Sequence, residues 1–356
     1  PGSASITPLY EMLEGQVAIL SSQFLSANES LALLRSLRNS ALYVADQNTY
    51  ILYPDKTLPS FLSKNTLTEE QVRDLRLPAV LTDAQDQTLF VRDVNGGYHF
   101  SGQLHNVNDV HLALDVLAGK PQFADIIAGE RQKIAALFEE VFRHTEFTGR
   151  SGTFFAYEGL GSIYWHMVSK LLLATQETAL RYQHEPVSID LVEKYNEICA
   201  GLGFNKSPAV FGAFPTDPYS HTPKGQGARQ PGMTGLVKEE ILARQAEVGW
   251  VIENGCLTFH SLLFNPKELL TMPESFKYLD VKREPQQIDL AAGCLAYTVC
   301  EVPILIQLAD APGIEIYLAD GTIQRINSNR VDAINSRHIF QRDGFVHHIM
   351  VHFSKP

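Results

Sequence analysis

The chain of 356 residues has little cysteine, no cluster of basic residues and no long apolar run. Its four cysteines show no CxxC spacing, so we expect free thiols in a reducing compartment rather than a disulfide scaffold or a cysteine-held metal. The net charge of −11 and the scattered lysines and arginines argue against nucleic acid as a partner. The longest apolar candidate, residues 294–308, is too short for a bilayer span. Together these absences predict a cytoplasmic protein with neither a nucleic-acid nor a membrane partner.

What is present is typical of a large folded protein. Hydrophobic residues make up 45% of the chain, and the length predicts about two domains that can bury a core without disulfides. The chain opens with Pro1-Gly2-Ser3 and has no basic or apolar leader. We therefore expect an internal start within a longer polypeptide.

Residues 1–255 predict a mostly helical domain. Ser26 with Glu29 and Thr68 with Gln71 have the spacing of capping boxes, each before a helix-like stretch. Residues 160–176 are apolar on every side, which is typical of a buried helix. The following stretch, residues 204–233, is rich in proline and glycine, and a loop that long inside a compact domain is usually functional.

Residues 256–356 predict a domain of a different kind. Short β-branched or alternating runs occur at 256–264, 276–283, 294–300, 304–308, 314–318, 322–326 and 345–353. Asp320-Gly321, between two of them, is a hairpin signal. About seven strands at this spacing predict an antiparallel β-sandwich. The fold class is thus α+β, with a helical domain followed by a β module.

The first candidate site is the segment Gly232-Met233-Thr234-Gly235. It follows the proline- and glycine-rich loop and precedes a helix that ends near Gly249. A helix N-terminus offers unpaired backbone N–H groups and the positive end of the helix dipole, which suit a phosphate or carboxylate. An ordinary helix capped by Thr234 is the alternative.

The second candidate is His166, on the helix that is apolar all round. A buried imidazole needs a hydrogen-bond partner, and Ser162, Ser169 and Lys170 share its side by helical spacing. A functional histidine fits this polar strip. A core histidine paired with a carbonyl remains the alternative.

The third candidate is a set of aromatic, hydroxyl and charged residues suited to a sugar, which offers apolar ring faces surrounded by hydroxyls. The predicted sugar contacts are Arg150, Glu158, Trp165, Asp217, Tyr219 and His221. Aromatic-rich loops also pack for structural reasons, so this alternative stays open. His347, His348 and His352 lie in a strand-like run with His347 and His348 on opposite faces, which favours surface residues over a metal site.

These motifs resemble the C-terminal half of the inverting glycoside phosphorylases of glycoside hydrolase family 94. In that family an upstream histidine in a segment E-x-G-G-x-x-x-H and a later Thr-Gly pair bind inorganic phosphate. The chain carries Glu158-Gly159 and then His166, followed by Thr234-Gly235. The resemblance implies an (α/α)6-barrel before the β module, phosphate bound by His166, Thr234 and Gly235, and sugar hydroxyls contacted by Glu158. Members acting on long β-1,2-linked gluco-oligosaccharides are the most similar subgroup.

The resemblance also implies a function. It predicts cleavage of a β-glucosidic bond by inorganic phosphate, with inversion, to give a sugar 1-phosphate without a cofactor or metal. The family's general acid is an aspartate upstream of the histidine, and residues 1–150 contain no such segment, so we expect the acid in an N-terminal remainder of the same enzyme. Packing of the β module against a neighbouring domain or a second subunit, and hence a homodimer, is a further expectation. An inverting glycoside hydrolase and a non-catalytic carbohydrate-binding module are the alternative functions.

Overall fold

A computed structural model describes residues 11–55, 64–143, 162–203, 206, 221–223 and 237–355. These parts of the chain contain ten α-helices: α1 (Leu13–Ser21), α2 (Ala27–Arg38), α3 (Glu69–Arg73), α4 (Leu77–Asp83), α5 (Val107–Ala118), α6 (Pro121–Phe142), α7 (Trp165–Arg181), α8 (Ser188–Ala200), α9 (Val237–Glu247) and α10 (Ala333–Gln341).

The same ranges contain fifteen strands. They are β1 (Tyr43–Val44), β2 (Thr49–Tyr50), β3 (Phe90–Arg92), β4 (Tyr98–Phe100), β5 (Ser162–Tyr164), β6 (His221–Pro223), β7 (Trp250–Glu253), β8 (Cys256–Phe259), β9 (Glu274–Leu279), β10 (Pro285–Leu290), β11 (Cys294–Val299), β12 (Val302–Ala309), β13 (Gly313–Leu318), β14 (Ile323–Ile326) and β15 (Val346–Ser354). None of the helices in the described ranges is long and apolar enough to cross a membrane.

The chain divides into two compact units that are not consecutive in sequence. The inserted unit comprises Ile51–Ile163 with the residues up to Met12, and the outer unit comprises Leu13–Tyr50 and Tyr164–Pro356. The chain therefore leaves the outer unit at Tyr50 and returns to it at Tyr164. A domain boundary at residue 255 stays a prediction.

The inserted unit is built from α3 to α6 and the antiparallel pair β3–β4. Thr68 forms the predicted capping box with Gln71 at the start of α3. Phe100 from β4 meets Phe138 from α6 edge to face, with ring centroids 5.0 Å apart, in the centre of the core. Glu130 of α6, only 8% exposed, accepts hydrogen bonds from the backbone N–H groups of Arg76 and Leu77 and so caps α4.

The helical part of the outer unit surrounds α7. This helix is buried on nearly every side, as its apolar sequence predicts, and it packs against α1, α8 and α9. Ser26 and Glu29 form the second predicted capping box at the start of α2. Helices α2 and α8 also pack together, and an exposed ion pair joins Arg35 to Asp190. The described helices do not close into a barrel, so the (α/α)6-barrel expected for residues 1–255 is not found in the part of the chain that the structure describes.

The β part of the outer unit contains a five-stranded sheet in the order β11-β12-β15-β13-β14. All neighbours are antiparallel except β12 and β15, which run parallel with Ile304 opposite Ile349. The sheet is therefore mixed, and the prediction of a purely antiparallel module was wrong. Strand β15 inserts between β12 and β13 after a connection through α10, a helix that the sequence did not indicate.

Two different layers cover the two faces of this sheet. Side chains such as Ile304, Ile316 and Val351 pack with β8 and α10 in one core. Leu305 and Cys294 point the other way and pack with Phe276 and Ile288 of the β9–β10 hairpin. All seven predicted strand runs are present. The sequence missed β7 and β10.

Candidate functional site

His166 lies in the first turn of α7, at the side of α9. Its Nε2 is 3.1 Å from Oε1 of Glu239, and its Nδ1 is 3.3 Å from the hydroxyl of Tyr164. An ionised carboxylate can only accept a hydrogen bond, so Nε2 is the protonated ring nitrogen and donates to Glu239. Both ring nitrogens of His166 therefore have side-chain partners, and the alternative of a histidine paired with a carbonyl does not apply.

Three contacts at four-residue intervals hold α9 against its neighbours. Besides Glu239, the carbonyl of Ala243 accepts from Nε2 of buried Gln176 on α7 at 2.8 Å. One turn later, Glu247 accepts from the hydroxyl of Tyr195 on α8 at 2.6 Å. Because residues four apart share a helix face, these contacts fix the rotation of α9 and hence the position of Glu239.

Glu239 is the unusual member of this site. Its side chain is only 4% exposed, and Lys238 Nζ is 3.6 Å from the same Oε1 that His166 contacts. The other oxygen, Oε2, is buried and has no hydrogen-bond partner. On α7, Ser169 Oγ is likewise buried without a partner. Buried polar atoms are almost always paired, so these two unpaired oxygens are unusual.

Trp165 precedes His166 and is fully buried. The ammonium group of Lys206 lies 5.3 Å from the centre of its ring and donates to the carbonyl of Gln47. Burial lowers the pKa of Lys206 to about 8, although Asp46 opposes this shift. The contact of Trp165 with a sugar stays a prediction.

The remaining predicted site residues are Arg150, Glu158, Asp217, Tyr219, Thr234 and Gly235, which lie outside the described ranges. His221 begins the short strand β6, whose side chains are not described. The roles predicted for all seven stay predictions. Helix α9 begins at Val237, so its first described turn follows Thr234-Gly235 directly and carries Glu239.

Sequence reasoning missed Glu239. The apolar residues Ile241 and Leu242 of α9 are 52% and 47% exposed, whereas Glu239 is buried. The spacing Glu239, Ala243, Glu247 places two carboxylates on one face, which faces the polar strip that the sequence did identify on α7.

The structure also corrects the prediction for the histidines of β15. A bulge in the pairing with β13 after Tyr317 interrupts the alternation, and Nδ1 of His347 and Nδ1 of His348 approach to 2.7 Å. The prediction that these rings point to opposite faces was therefore wrong. No group of three or more metal-ligating side chains occurs in the part of the chain that the structure describes.

Comparison with known proteins gives a match for the inserted unit. Residues 58–145 match the family described as GH149 phosphorylase insertion domain 2. Glycoside hydrolase family 149 contains inverting β-1,3-glucan phosphorylases and is related to family 94. No curated protein sequence matches the chain. The inserted unit is thus a domain found in glycoside phosphorylases, and it is also the part of the chain that forms a compact unit of its own.

Proposed function

We propose that this chain belongs to an inverting glycoside phosphorylase and supplies the phosphate-binding part of its active site. The main supporting observation is the order and the contact of three segments. A phosphorylase insertion domain is followed in the sequence by His166 and then by the helix that Thr234-Gly235 precedes. The last two segments, distant in sequence, meet through the His166–Glu239 hydrogen bond. Sixty-eight residues separate His166 from Thr234 in the sequence, yet α9 brings its first described turns to the histidine.

Phosphorolysis with inversion needs few protein groups on the nucleophile side. A carboxylic acid protonates the glycosidic oxygen, and phosphate attacks the sugar from the opposite face, so no carboxylate base is needed to activate water. The chain has to bind an anion despite its net charge of −11, which requires local donors. We propose as donors the backbone N–H groups before α9, the Thr234 hydroxyl and the His166 ring in its doubly protonated form, because a neutral ring already donates its Nε2–H to Glu239.

The substrate class follows from the matched family. We propose a β-linked gluco-oligosaccharide, and the match favours the β-1,3 linkage over the β-1,2 linkage that the motifs suggested. Arg150, Glu158, Asp217, Tyr219 and His221 stay our proposed sugar contacts, with Trp165 beside them. We further propose that the general acid comes from an N-terminal part of the same enzyme, acting with this chain.

The test is a product analysis. The enzyme containing this chain is incubated with β-1,3- and β-1,2-linked gluco-oligosaccharides, with and without inorganic phosphate. We expect a sugar 1-phosphate of inverted anomeric configuration that forms only with phosphate, and faster with the β-1,3-linked substrate. Free sugar released without phosphate would instead identify a hydrolase, and glycan binding without turnover would identify a binding module.

The phosphate site is tested by His166→Ala and Thr234→Ala. Because each removes one donor to the anion, we expect the KM for phosphate to rise about tenfold or more, while the KM for the oligosaccharide changes less. Unchanged phosphate KM values in both variants would contradict the site. Glu240→Ala serves as the control, because Glu240 is the neighbouring half-buried carboxylate on α9 and forms no hydrogen bond with His166 among the described residues.

A further inference from the structure

We infer that a groove at the C-terminal end of α7 binds a β-linked gluco-oligosaccharide, at a place separate from the proposed phosphate site. The groove has a volume of about 500 Å³, which is within the range of pockets that hold small ligands. Its walls are formed by the second half of α7, by α9, by strand β7 and by Gln23. All of these parts belong to the outer unit.

The length of α7 separates this groove from the proposed phosphate site. Glu177, which lines the groove, follows His166 by about three helical turns, and this corresponds to about 16 Å along the helix axis. Among the described residues that line the groove, none is one of the site residues predicted from the sequence. A sugar bound in the groove is therefore not the sugar that meets the phosphate.

Apolar side chains form one part of the groove. Trp250 lines it and is only partly buried against the core of the β part. Leu242 and Ile252 also line it and are 47% and 58% exposed. A tryptophan offers a large, rigid apolar surface, on which the C–H face of a sugar ring can pack. The groove thus presents apolar area to a ligand rather than burying it in the fold.

Polar side chains in the same groove are free to bind hydroxyl groups. Glu177 of α7 and Gln245 of α9 form no hydrogen bond or ion pair within the described ranges. Arg181, one turn after Glu177, instead donates to the main-chain and side-chain oxygens of Gln23. Partial burial by the groove raises the pKa of Glu177. A carboxylate accepts hydrogen bonds and an amide both donates and accepts them, which matches the hydroxyls of a sugar.

The combination favours a neutral sugar over other small ligands. Among the described lining residues, the carboxylates of Glu177 and Glu253 outnumber the guanidinium of Arg181, which disfavours an anion. A wholly apolar ligand would desolvate Glu177 and Gln245 without giving them partners. The existence of the site rests on the groove alone. The kind of sugar rests on the proposed function, because the matched family contains β-1,3-glucan phosphorylases.

The first experiment titrates the chain with a β-1,3-linked glucohexaose, followed by calorimetry and tryptophan fluorescence. The chain has two tryptophans; Trp165 is fully buried, whereas Trp250 lines the groove. We expect saturable binding and a change in emission that Trp250→Phe abolishes. No binding, binding without an emission change, or an emission change that persists in Trp250→Phe would each overturn the inference.

The second experiment compares variants that leave the core intact. Glu177→Ala and Gln245→Ala remove side chains without partners in the described ranges, so each should fold and should bind the hexaose about fivefold more weakly. Leu242→Ala removes apolar contact and should weaken binding about threefold. Ile241→Ala is the matched control, because Ile241 is 52% exposed on the same helix and is not among the groove residues. Parent-like affinity in the three groove variants would contradict the site.

Kinetics of the enzyme containing this chain separate the inference from the proposed function. We expect Glu177→Ala to raise the KM for a long β-1,3-glucan about threefold or more, while the KM for phosphate changes less. If no sugar 1-phosphate forms but the groove variants weaken hexaose binding, the proposed function fails and the sugar site stands. If sugar 1-phosphate forms but Glu177→Ala changes neither hexaose binding nor the KM for the glucan, only the inference fails.

Discussion

Among the residues that the structure describes, each unit buries one glutamate, and the two glutamates differ in how their oxygens are used. In the inserted unit, Glu130 accepts from the backbone N–H groups of Arg76 and Leu77 at 2.8 and 3.0 Å, one on each oxygen. In the outer unit, Glu239 contacts His166 with one oxygen and leaves the other unpaired. The two side chains are therefore similarly buried, but only Glu130 has a hydrogen-bond partner on each carboxylate oxygen.

The two glutamates show that similar burial can go with full or with partial pairing of a carboxylate. Glu130 completes the N-terminus of α4, whose own N-cap, Arg76, makes no side-chain capping hydrogen bond. Its whole bonding capacity is used inside the fold. Glu239 leaves Oε2 unpaired within the fold, which costs stability.

The largest expected effect is on the stability of the inserted unit. Glu130→Ala leaves two backbone N–H groups at the start of α4 without acceptors, so we expect a loss of about 3–4 kcal/mol in the free energy of unfolding of that unit. Both tryptophans lie in the outer unit. Urea unfolding followed by circular dichroism should therefore show the loss, while the tryptophan fluorescence transition stays in place.

Two matched variants sharpen this result. Glu140→Ala, at an exposed position on the same helix, should change stability by less than about 0.5 kcal/mol. Glu239→Ala should cost only about 1 kcal/mol in the fluorescence transition, because one of its oxygens is already unpaired. A loss for Glu239→Ala as large as that for Glu130→Ala would remove the contrast between the two carboxylates.

The second prediction tests whether the outer unit simply tolerates every substitution. Gly249, just beyond α9, has φ +91°, and a Cβ there would lie 2.6 Å from Cζ of Phe353. Gly249→Ala combines backbone strain with overpacking, so we expect a loss of about 2–3 kcal/mol in the fluorescence-detected transition. Gly293→Ala has a similar φ of +84° but open space, and should cost about 1 kcal/mol. Equal losses of stability in Gly249→Ala and Gly293→Ala would mean that the ring of Phe353 moves aside.

The last prediction concerns pH. Burial, with help from neighbouring His347, lowers the pKa of His348 to about 4, from 6.5 when unfolded. The unfolded chain then takes up the proton first, so the outer unit loses stability as the pH falls from about 6.5 to about 4. The hydrogen bond from Lys120 lowers the pKa of Asp86 in the inserted unit to about 2, so that contribution is lost only between about 3.8 and 2.

The measurement is the urea midpoint against pH, by fluorescence for the outer unit and by circular dichroism for the inserted one. His348→Phe keeps the stacking on Tyr317, whose ring centre is 4.1 Å away, and should flatten the outer unit's dependence above pH 4. An unchanged profile in this variant would assign the dependence to other groups.

Much of the local structure could be predicted because it depends on residues close in sequence. The capping boxes at Ser26 and Thr68, the buried helix α7 and the hairpin at Asp320-Gly321 all follow from neighbours within a few positions. The inserted unit and the parallel pair β12–β15 could not be predicted this way. Both depend on which distant segments meet, and apolar periodicity does not contain that information.

The residues of the candidate site likewise divide into those that the sequence could predict and those that it could not. His166 was predicted because a histidine on an apolar helix is unusual within a short window of sequence. Glu239 was missed because a glutamate in the first turn of a helix is ordinary, and only the packing of α9 on α7 buries it. The bulge that brings His347 to His348 was missed for the same reason, since it arises from pairing with β13.

The departure of the chain from the outer unit at Tyr50 and its return at Tyr164 also has a kinetic consequence. Helices α1 and α2 reach their partners α7 and α8 only after the ends of the inserted segment have come together. An unfolded connection of more than one hundred residues makes that closure entropically costly, while a folded insertion with its own core shortens the effective loop. Folding of the inserted unit then precedes closure of the outer unit. A mutation in the core of the inserted unit should therefore slow assembly of the proposed phosphate site, although it changes no residue of that site.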